Sequence, residues 1–287
     1  RDCKTAIEQG MTVAGSDQAP SQTTAFLQDL GAKIHFHQGT VSLPKEATLV
    51  VSTATKDLKE VRRAQRLGMR VLHRSEFLSE LMEGTDQLLV AGTHGKTWTS
   101  ALLVSVFTQG GLDPSFCIGG IHNELQTNGR KGAGQFFIAE ADESDGSFLT
   151  YRGKGAIVTN VDADHLDHFK TLDGVQSAFS AFCERVEEHL FWCGDCPNLR
   201  AIRPKGTSYG FGKENDLVIS EFSAESDHLT FTLTYKKKRY KEIELRGVGR
   251  HLAQSAAGVF GLALSCGVEE EAIRHAFAHF GGGAPPP

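Results

Sequence analysis

The chain has 287 residues with a net charge of −5, 40% hydrophobic and 23% charged residues. This is the balance of a globular chain with a real core, long enough for about two domains. The acidic balance argues against a broad nucleic-acid footprint, and no run approaches the ~18 apolar residues of a membrane span, so neither nucleic acid nor membrane is expected as a partner. No signal peptide is visible, and six cysteines in this length form no disulfide framework, which points to a reducing cytoplasm.

In chain order, residues 1–87 open on a helical stretch, "RDCKTAIEQG". Short apolar, β-branched runs ("MTVAGSD", "AKIHFHQ", "ATLVVSTA", "MRVLHRS") then alternate with pieces of helical spacing ("SQTTAFLQDLG", "LKEVRRAQRLG", "SEFLSELM"). The first two of those helices stop at glycine. Strands alternating with helices predict a doubly wound parallel sheet, in which ligands bind beyond the carboxyl ends of strands. Ser16 and Asp17 stand at one such end, "VVSTA" at another and His73 at a third. Small residues at strand ends are also ordinary turn material.

From 88 the alternation restarts: "QLLVAG" as strand, "TWTSALLVSVFTQGG" as helix, "QFFIAEADE" and "GAIVTNVDADH" as buried strands, "LDGVQSAFSAFCERV" as helix. Between 216 and 246 strand-like alternation continues without helices, which predicts an added small antiparallel sheet; its basic run "KKKRYK" reads as the solvated end of a hairpin. Two helices, "HLAQSAAGVFGLALSCG" and "EEEAIRHAFAHFG", complete a second domain spanning 88–281, and "GGAPPP" at 282–287 is expected to be a disordered or artefactual tail.

The stretch "LLVAGTHGKTWTS" at 88–100 carries the first chemistry. A phosphate loop needs backbone N–H groups aimed into one small space, a helix N-terminus behind them and a lysine for the outer phosphates. Gly92 and Gly95 supply backbone freedom, Lys96 the charge and Thr97 a hydroxyl for a metal; Val90 stands where the general pattern has its first glycine. Acidic clusters follow at two strand ends: Glu140, Asp142, Glu143 and Asp145, then Asp162, Asp164, His165 and Asp167. A nucleotide's Mg²⁺ needs such oxygen ligands beside the phosphates. The plainer reading makes these residues helix caps and solvated turns.

"AGTHGKT", "IGGIHNELQTNGR" (118–130), "AEADESDGSFL" (139–149) and "VTNVDADHLD" (158–167) occur in the order and near the spacing of the Mur ligases. The chain resembles that family from about residue 11 to 281, within it the branch that adds L-alanine to UDP-N-acetylmuramate. "WCGDCPNLR" and "GVFGLALSCGVEEEAIRHAF" are similar to the chlamydial members. The shorter loop form of this family accommodates Val90.

The resemblance implies an N-terminal Rossmann-like domain for the UDP substrate and a central phosphate-loop α/β domain for ATP. It implies ATP with Mg²⁺ or Mn²⁺, UDP-N-acetylmuramate and L-alanine as ligands, a monomer or weak homodimer, and an acyl-phosphate route to the amide. The ATP site it implies comprises Gly92, Thr93, His94, Gly95, Lys96, Thr97, Trp98, Asn160 and His251. Thr97 and Glu140 match the first metal's positions and His165 that of a second; Lys96, Glu140 and His165 match catalytic positions. Ser16, Asp17, His73, Asn128, Arg130 and Ser144 are the expected substrate contacts. No lysine follows "DHLD" at the place where other Mur enzymes carry a carbamoylated one, which agrees with the alanine-adding branch.

The sequence also departs from the family. The first strand and its glycine-rich loop, and the C-terminal domain, are expected to be missing, so turnover by this chain alone is not expected. Leu252 and Ser255 stand where asparagines contact adenine, and Trp98 where the family has threonine. Two relatives of this reading stay open: a ligase for preformed muramoyl peptides, against which Ser144-Asp145 argues, and a non-catalytic Mur-like nucleotide-binding module. Cys193 and Cys196 in "WCGDC" imitate a thioredoxin-type site, but Pro197 and a short polar run follow where that site has a long amphipathic helix. His35, His37, His122 and His189 are expected to be surface or satisfied core histidines.

Overall fold

The computed structural model describes residues 1–36, 44, 46–52, 59–144, 146–164 and 169–284. By contact the chain divides into two compact units, Arg1–Glu83 with Gly129–Lys131, and Gly84–Asn128 with Gly132–Pro287.

In the first unit, helix α1 (Asp2–Glu8) precedes two parallel strand pairs: β1 (Ala14–Ser16) with β2 (Lys33–His35), and β3 (Thr48–Val51) with β4 (Arg70–His73). Helices α2 (Gln22–Asp29), α3 (Lys59–Arg66) and α4 (Arg74–Leu81) alternate with them. Ser21 caps α2, its hydroxyl accepting from the Thr24 amide at 3.1 Å. Gly31 and Gly68, at φ +97° and +68°, take the left-handed conformation just past α2 and α3, where a side chain would strain the backbone. Residues 129–131 join this unit because Lys4 donates to the Gly129 carbonyl at 2.8 Å and the Lys131 amide to Glu8 at 2.7 Å. The alternation read from sequence is therefore present as two parallel pairs.

Among the described residues the second unit is built on one sheet of eleven strands. Strand β5 (Asp86–Ala91) lies at its centre between β8 (Phe136–Glu140) and β9 (Gly155–Val158), all parallel. β6 (Ser115–His122) flanks β8 and carries β7 (Thr127–Arg130), which straddles the division between the units. On the other side β10 (His189–Cys193) and β11 (Thr207–Gly210) extend the parallel part. β12 (Leu217–Ala224), β13 (His228–Tyr235) and β14 (Lys238–Arg246) form the antiparallel segment. The added antiparallel sheet expected from sequence is present, and its place of attachment is β11: Tyr209 and Gly210 pair in parallel with Leu217 and Val218, so the meander continues the main sheet.

Helix α5 (Lys96–Gln109) follows β5 and is buried along Thr99–Phe107, which explains why its sequence is apolar on every side. α6 (Leu172–Cys183) is capped by Thr171 and packs Phe179 and Phe182 against Phe148. A short α7 (Pro197–Ile202) follows β10. α8 (Arg250–Ser265) and α9 (Glu270–His279) pack with α5, and α8 also covers β9 to β12. The tail expected from 282 departs from that reading at its start: Gly283–Ala284 form a strand, β15, antiparallel to Ile121–His122. Residues 285–287 lie outside the described residues, as do Asp145, His165 and Asp167.

Candidate active site

Every element of the loop at 92–95 has an identifiable support. Gly92, at φ +134°, crosses so close to β9's continuation that a Cβ would sit 2.1 Å from Thr159 Oγ1. Gly95, at φ +82°, forms the N-cap of α5. Asn160 grips the loop from both sides: its Oδ1 accepts from the His94 amide at 2.8 Å and its Nδ2 donates to the His94 carbonyl at 2.9 Å. The Thr93 amide donates to the Asn160 carbonyl at 3.1 Å, and the Asp162 amide to Thr93 Oγ1 at 3.0 Å. Such matched backbone and amide bonds fix the loop in shape before any ligand arrives. The His94 ring itself is exposed.

At the C-terminal end of β5, Lys96 Nζ donates to the Gly92 carbonyl at 2.6 Å, to the Thr93 carbonyl at 3.5 Å and to Glu143 Oε2 at 2.7 Å. The next residue's hydroxyl, Thr97 Oγ1, donates to Glu140 Oε2 at 3.2 Å, and about one turn on Ser100 Oγ donates to Glu140 Oε1 at 2.9 Å. The Gly119 amide completes the shell of Glu140. A Cβ on Gly119 would stand 2.6 Å from Glu140 and 2.7 Å from Thr97 Oγ1, so only glycine lets β6 approach this closely. Three parallel strands and one helix thus converge two carboxylates, two hydroxyls and an ammonium beside the N-terminus of α5.

The hydroxyl of Thr97 and the carboxylate of Glu140 are hard oxygen donors, the type that Mg²⁺ or Mn²⁺ takes. No cluster of three or more His, Cys, Asp or Glu side chains fit to hold a metal exists among the described residues.

The remaining predicted positions divide. Trp98 is half-buried and meets Phe280 edge-on, ring centroids 5.4 Å apart. The two rings line a cavity of about 410 Å³ with Asp227, Arg246 and Val248. His251 is exposed in the first turn of α8, its ring folded back over Gly249. Ser255 Oγ lies 4.0 Å from where a Cβ on Gly95 would be, so this helix faces the loop. The Ser144 amide donates to Asp142 at 3.1 Å, shaping the turn after β8. Asn128 is half-buried in the second unit, and Arg130 half-buried in the first. In the first unit Ser16 Oγ donates to Glu60 at 3.3 Å and Asp17 accepts from the Gln18 amide. His73 forms a capping box with α4: its amide donates to Glu76 at 2.6 Å, and its ring accepts from the Ser75 amide.

Sequence reading missed the shell of Glu140. Ser100 follows Thr97 by three residues, so both lie on one helix face, and that spacing was the available signal. Nor did it give Asp195 a role. Burial pushes this carboxyl's pKa up, but the Phe211 and Gly212 amides, Gln254 and Asn215 more than offset that and hold it below the usual carboxylate range. Arg250 lies over the Phe211 ring at 3.7 Å. Cys193, beside Asp195, is not a low-pKa redox thiol: burial pushes it up to about 12. His122 is a satisfied core residue, its Nε2 2.8 Å from Ser105 Oγ.

A phosphate loop at the end of a central parallel strand, with acidic residues on the next strand, defines an α/β nucleotide-binding domain of the phosphate-loop class. The chain belongs to the Mur ligase family: the Mur ligase middle domain matches residues 90–263, and the Mur ligase family catalytic domain matches 3–85. A UDP-N-acetylmuramate–L-alanine ligase of Protochlamydia amoebophila is 39% identical over 96% of this chain and 62% of its own length. One of a Bradyrhizobium species is 38% identical over 95% of this chain and 62% of its own. The chain thus spans 62% of the length of both relatives. The crystal structure of the UDP-N-acetylmuramate–alanine ligase of Thermotoga maritima shares the fold, with a TM-score of 0.85 at 24% identity, covering 97% of this chain and 65% of that one. The family's members are ATP-dependent ligases.

Proposed function

We propose that this chain supplies the nucleotide and UDP-substrate parts of an ATP-dependent ligase that joins L-alanine to UDP-N-acetylmuramate in peptidoglycan synthesis. The observation that carries the reading is the convergence of Lys96, Thr97 and Glu140 at the loop, together with relatives of that activity across nearly the whole chain. In the reaction the lactyl carboxylate takes the γ-phosphoryl group of ATP, and the amino group of L-alanine displaces phosphate to leave the amide.

Each residue has a task in that scheme. Lys96 and the amides of residues 93–97 would bind the phosphates and stabilise the charge that spreads over the transferring group. Thr97 and Glu140 would hold Mg²⁺ or Mn²⁺, which supplies charge neutralisation between the outer phosphates when bound. Asn160 and Thr159 keep the loop in its receiving shape. Gly92, Thr93, His94 and Gly95 line the nucleotide, with His251 near the end of the site formed by α8. Ser144, Asn128 and Arg130 are assigned to the muramate side, the guanidinium suiting a carboxylate or phosphate. Ser16, Asp17 and His73 are assigned to the UDP end. His165, the assigned second metal position, lies outside the described residues. The assignment of residues 1–87 to the UDP substrate and 88–281 to ATP belongs to the same proposal.

We place the protein in the cytoplasm, where ATP and UDP-linked precursors are available. No helix among the described residues is long and apolar enough to cross a membrane. Calorimetry of MgATP binding, with Lys96→Ala as the control, tests the reading. Lys96→Ala is expected to weaken binding about 100-fold, the loss of charge-assisted bonds worth about 3 kcal/mol. Binding that ignores this substitution would overturn the nucleotide site.

A further inference from the structure

Lys96 spends all three of its N–H bonds inside the protein. Two go to the loop carbonyls of Gly92 and Thr93, and the third goes to Glu143 at 2.7 Å. The Glu143 side chain is only 2% exposed and that of Lys96 16%. The turn that presents Glu143 is closed by the Gly146 amide donating to the Glu143 carbonyl at 2.9 Å. This carboxylate is distinct from Glu140, whose oxygens are taken by Thr97, Ser100 and Gly119. The lysine meant for phosphate is therefore already neutralised by a buried anion.

A polyphosphate that reaches Lys96 must share it with Glu143. In a site this shielded from water, like charges at such separations repel strongly and are little screened by salt. A polyphosphate carrying its divalent cation arrives with two of its charges cancelled, and the cation adds attraction for the carboxylates around it. We infer that Glu143 is a positioning residue that makes nucleotide binding conditional on the accompanying divalent cation. It holds Lys96 across the loop when no nucleotide is bound and penalises entry of metal-free nucleotide. This rests on the nucleotide reading of the loop given above.

The test is calorimetry of ATP with the whole chain, once with excess EDTA and once with MgCl₂, on the wild type, Glu143→Gln, Glu143→Asn and Glu143→Asp. Removing the charge is expected to tighten binding of metal-free ATP about tenfold while shifting MgATP affinity less than about threefold. The wild-type preference for MgATP therefore collapses in Glu143→Gln and Glu143→Asn and persists in Glu143→Asp. A merely structural carboxylate would weaken both forms of ATP together; that result, or an unchanged preference in the neutral variants, overturns the inference. If Lys96-dependent ATP binding is present but the preference does not move, the inference falls and the nucleotide site stands. If the wild type shows no Lys96-dependent binding, both fall.

Discussion

Thr97 Oγ1 and Glu140 Oε2 lie 3.2 Å apart, one at the start of α5 and the other at the last residue of β8. The pair exists because β5 and β8 are adjacent and parallel, with Val90 paired to Glu140. The loop that leaves β5 therefore turns its helix back over the neighbouring strand's end. This geometry sets a hydroxyl and a carboxylate side by side as hard oxygen donors, and under the proposed function Glu140 is the charged one of the two.

Glu140→Gln keeps the side chain's shape and its acceptor for Ser100 and Gly119 but removes the charge. Mn²⁺ binding in the presence of ATP, followed by electron paramagnetic resonance, is expected to weaken about tenfold or more. The melting temperature should change little, since one oxygen acceptor remains. Unaltered Mn²⁺ affinity would remove Glu140 from the metal's shell.

Asp195 ties three segments together, accepting from the Phe211 amide at 2.7 Å, the Gly212 amide at 3.0 Å, Asn215 Nδ2 at 3.0 Å and Gln254 Nε2 at 2.8 Å. Burial opposes its charge, yet the four donors win and hold its folded pKa below the ordinary value. A depressed folded pKa contributes stability that is fully present above the unfolded pKa of about 3.9 and is lost as pH falls through the folded value. Asp195→Ala is expected to cost about 2–3 kcal/mol near neutrality, because it leaves partly buried donors without an acceptor. Urea melts at pH 7 and pH 3 check this. The difference between wild type and variant should shrink at the lower pH.

Much of this architecture was legible in the residues because period and punctuation agreed. The apolar run before Gly92 and the glycines after α2 and α3 each have one local physical reading, and the structure carries them as β5 and as left-handed positions past the two helices. What was not legible depended on partners distant in sequence. Gly119 holds Glu140 from 21 residues away and Gln254 reaches Asp195 from 59 away. Nothing local in either segment announces the match. The meander of β12–β14 was recognised as antiparallel, but alternation alone cannot say whether it joins an existing sheet. That is decided by two residues of β11.

Cys193 and Cys196 are spaced like a redox pair, and their surroundings argue otherwise. Cys193 ends a buried strand, and burial pushes its thiol up to about 12, outweighing the backbone hydrogen bonds from Asp195 and Cys196 that favour the thiolate. At pH 8 only about one thiol in 10⁴ would then be ionised, against roughly a quarter for a free thiol near 8.5. Iodoacetamide labelling at pH 8, read by peptide mass spectrometry, is expected to leave Cys193 unmodified in the folded chain and to label it in urea. Labelling at equal rates in both conditions would show a reactive thiol.

Trp98 stands two residues past Lys96, and its aromatic partner is Phe280, in the segment that leaves α9. An edge-to-face pair of this kind is worth about 0.5–1.5 kcal/mol beyond the area it buries. Lys96 and Thr97 are held by the loop carbonyls, Glu143 and Glu140, whereas the indole's ring contact is with Phe280. Trp98→Thr is therefore expected to lower stability by about 1–3 kcal/mol, while MgATP affinity stays within about threefold. Phe280→Ala should reproduce the stability loss, and the double variant should cost less than the sum of the two, since each removes the same contact. A tenfold gain in MgATP affinity on Trp98→Thr would instead show the indole crowding the nucleotide, and a tenfold loss would make it a direct contact.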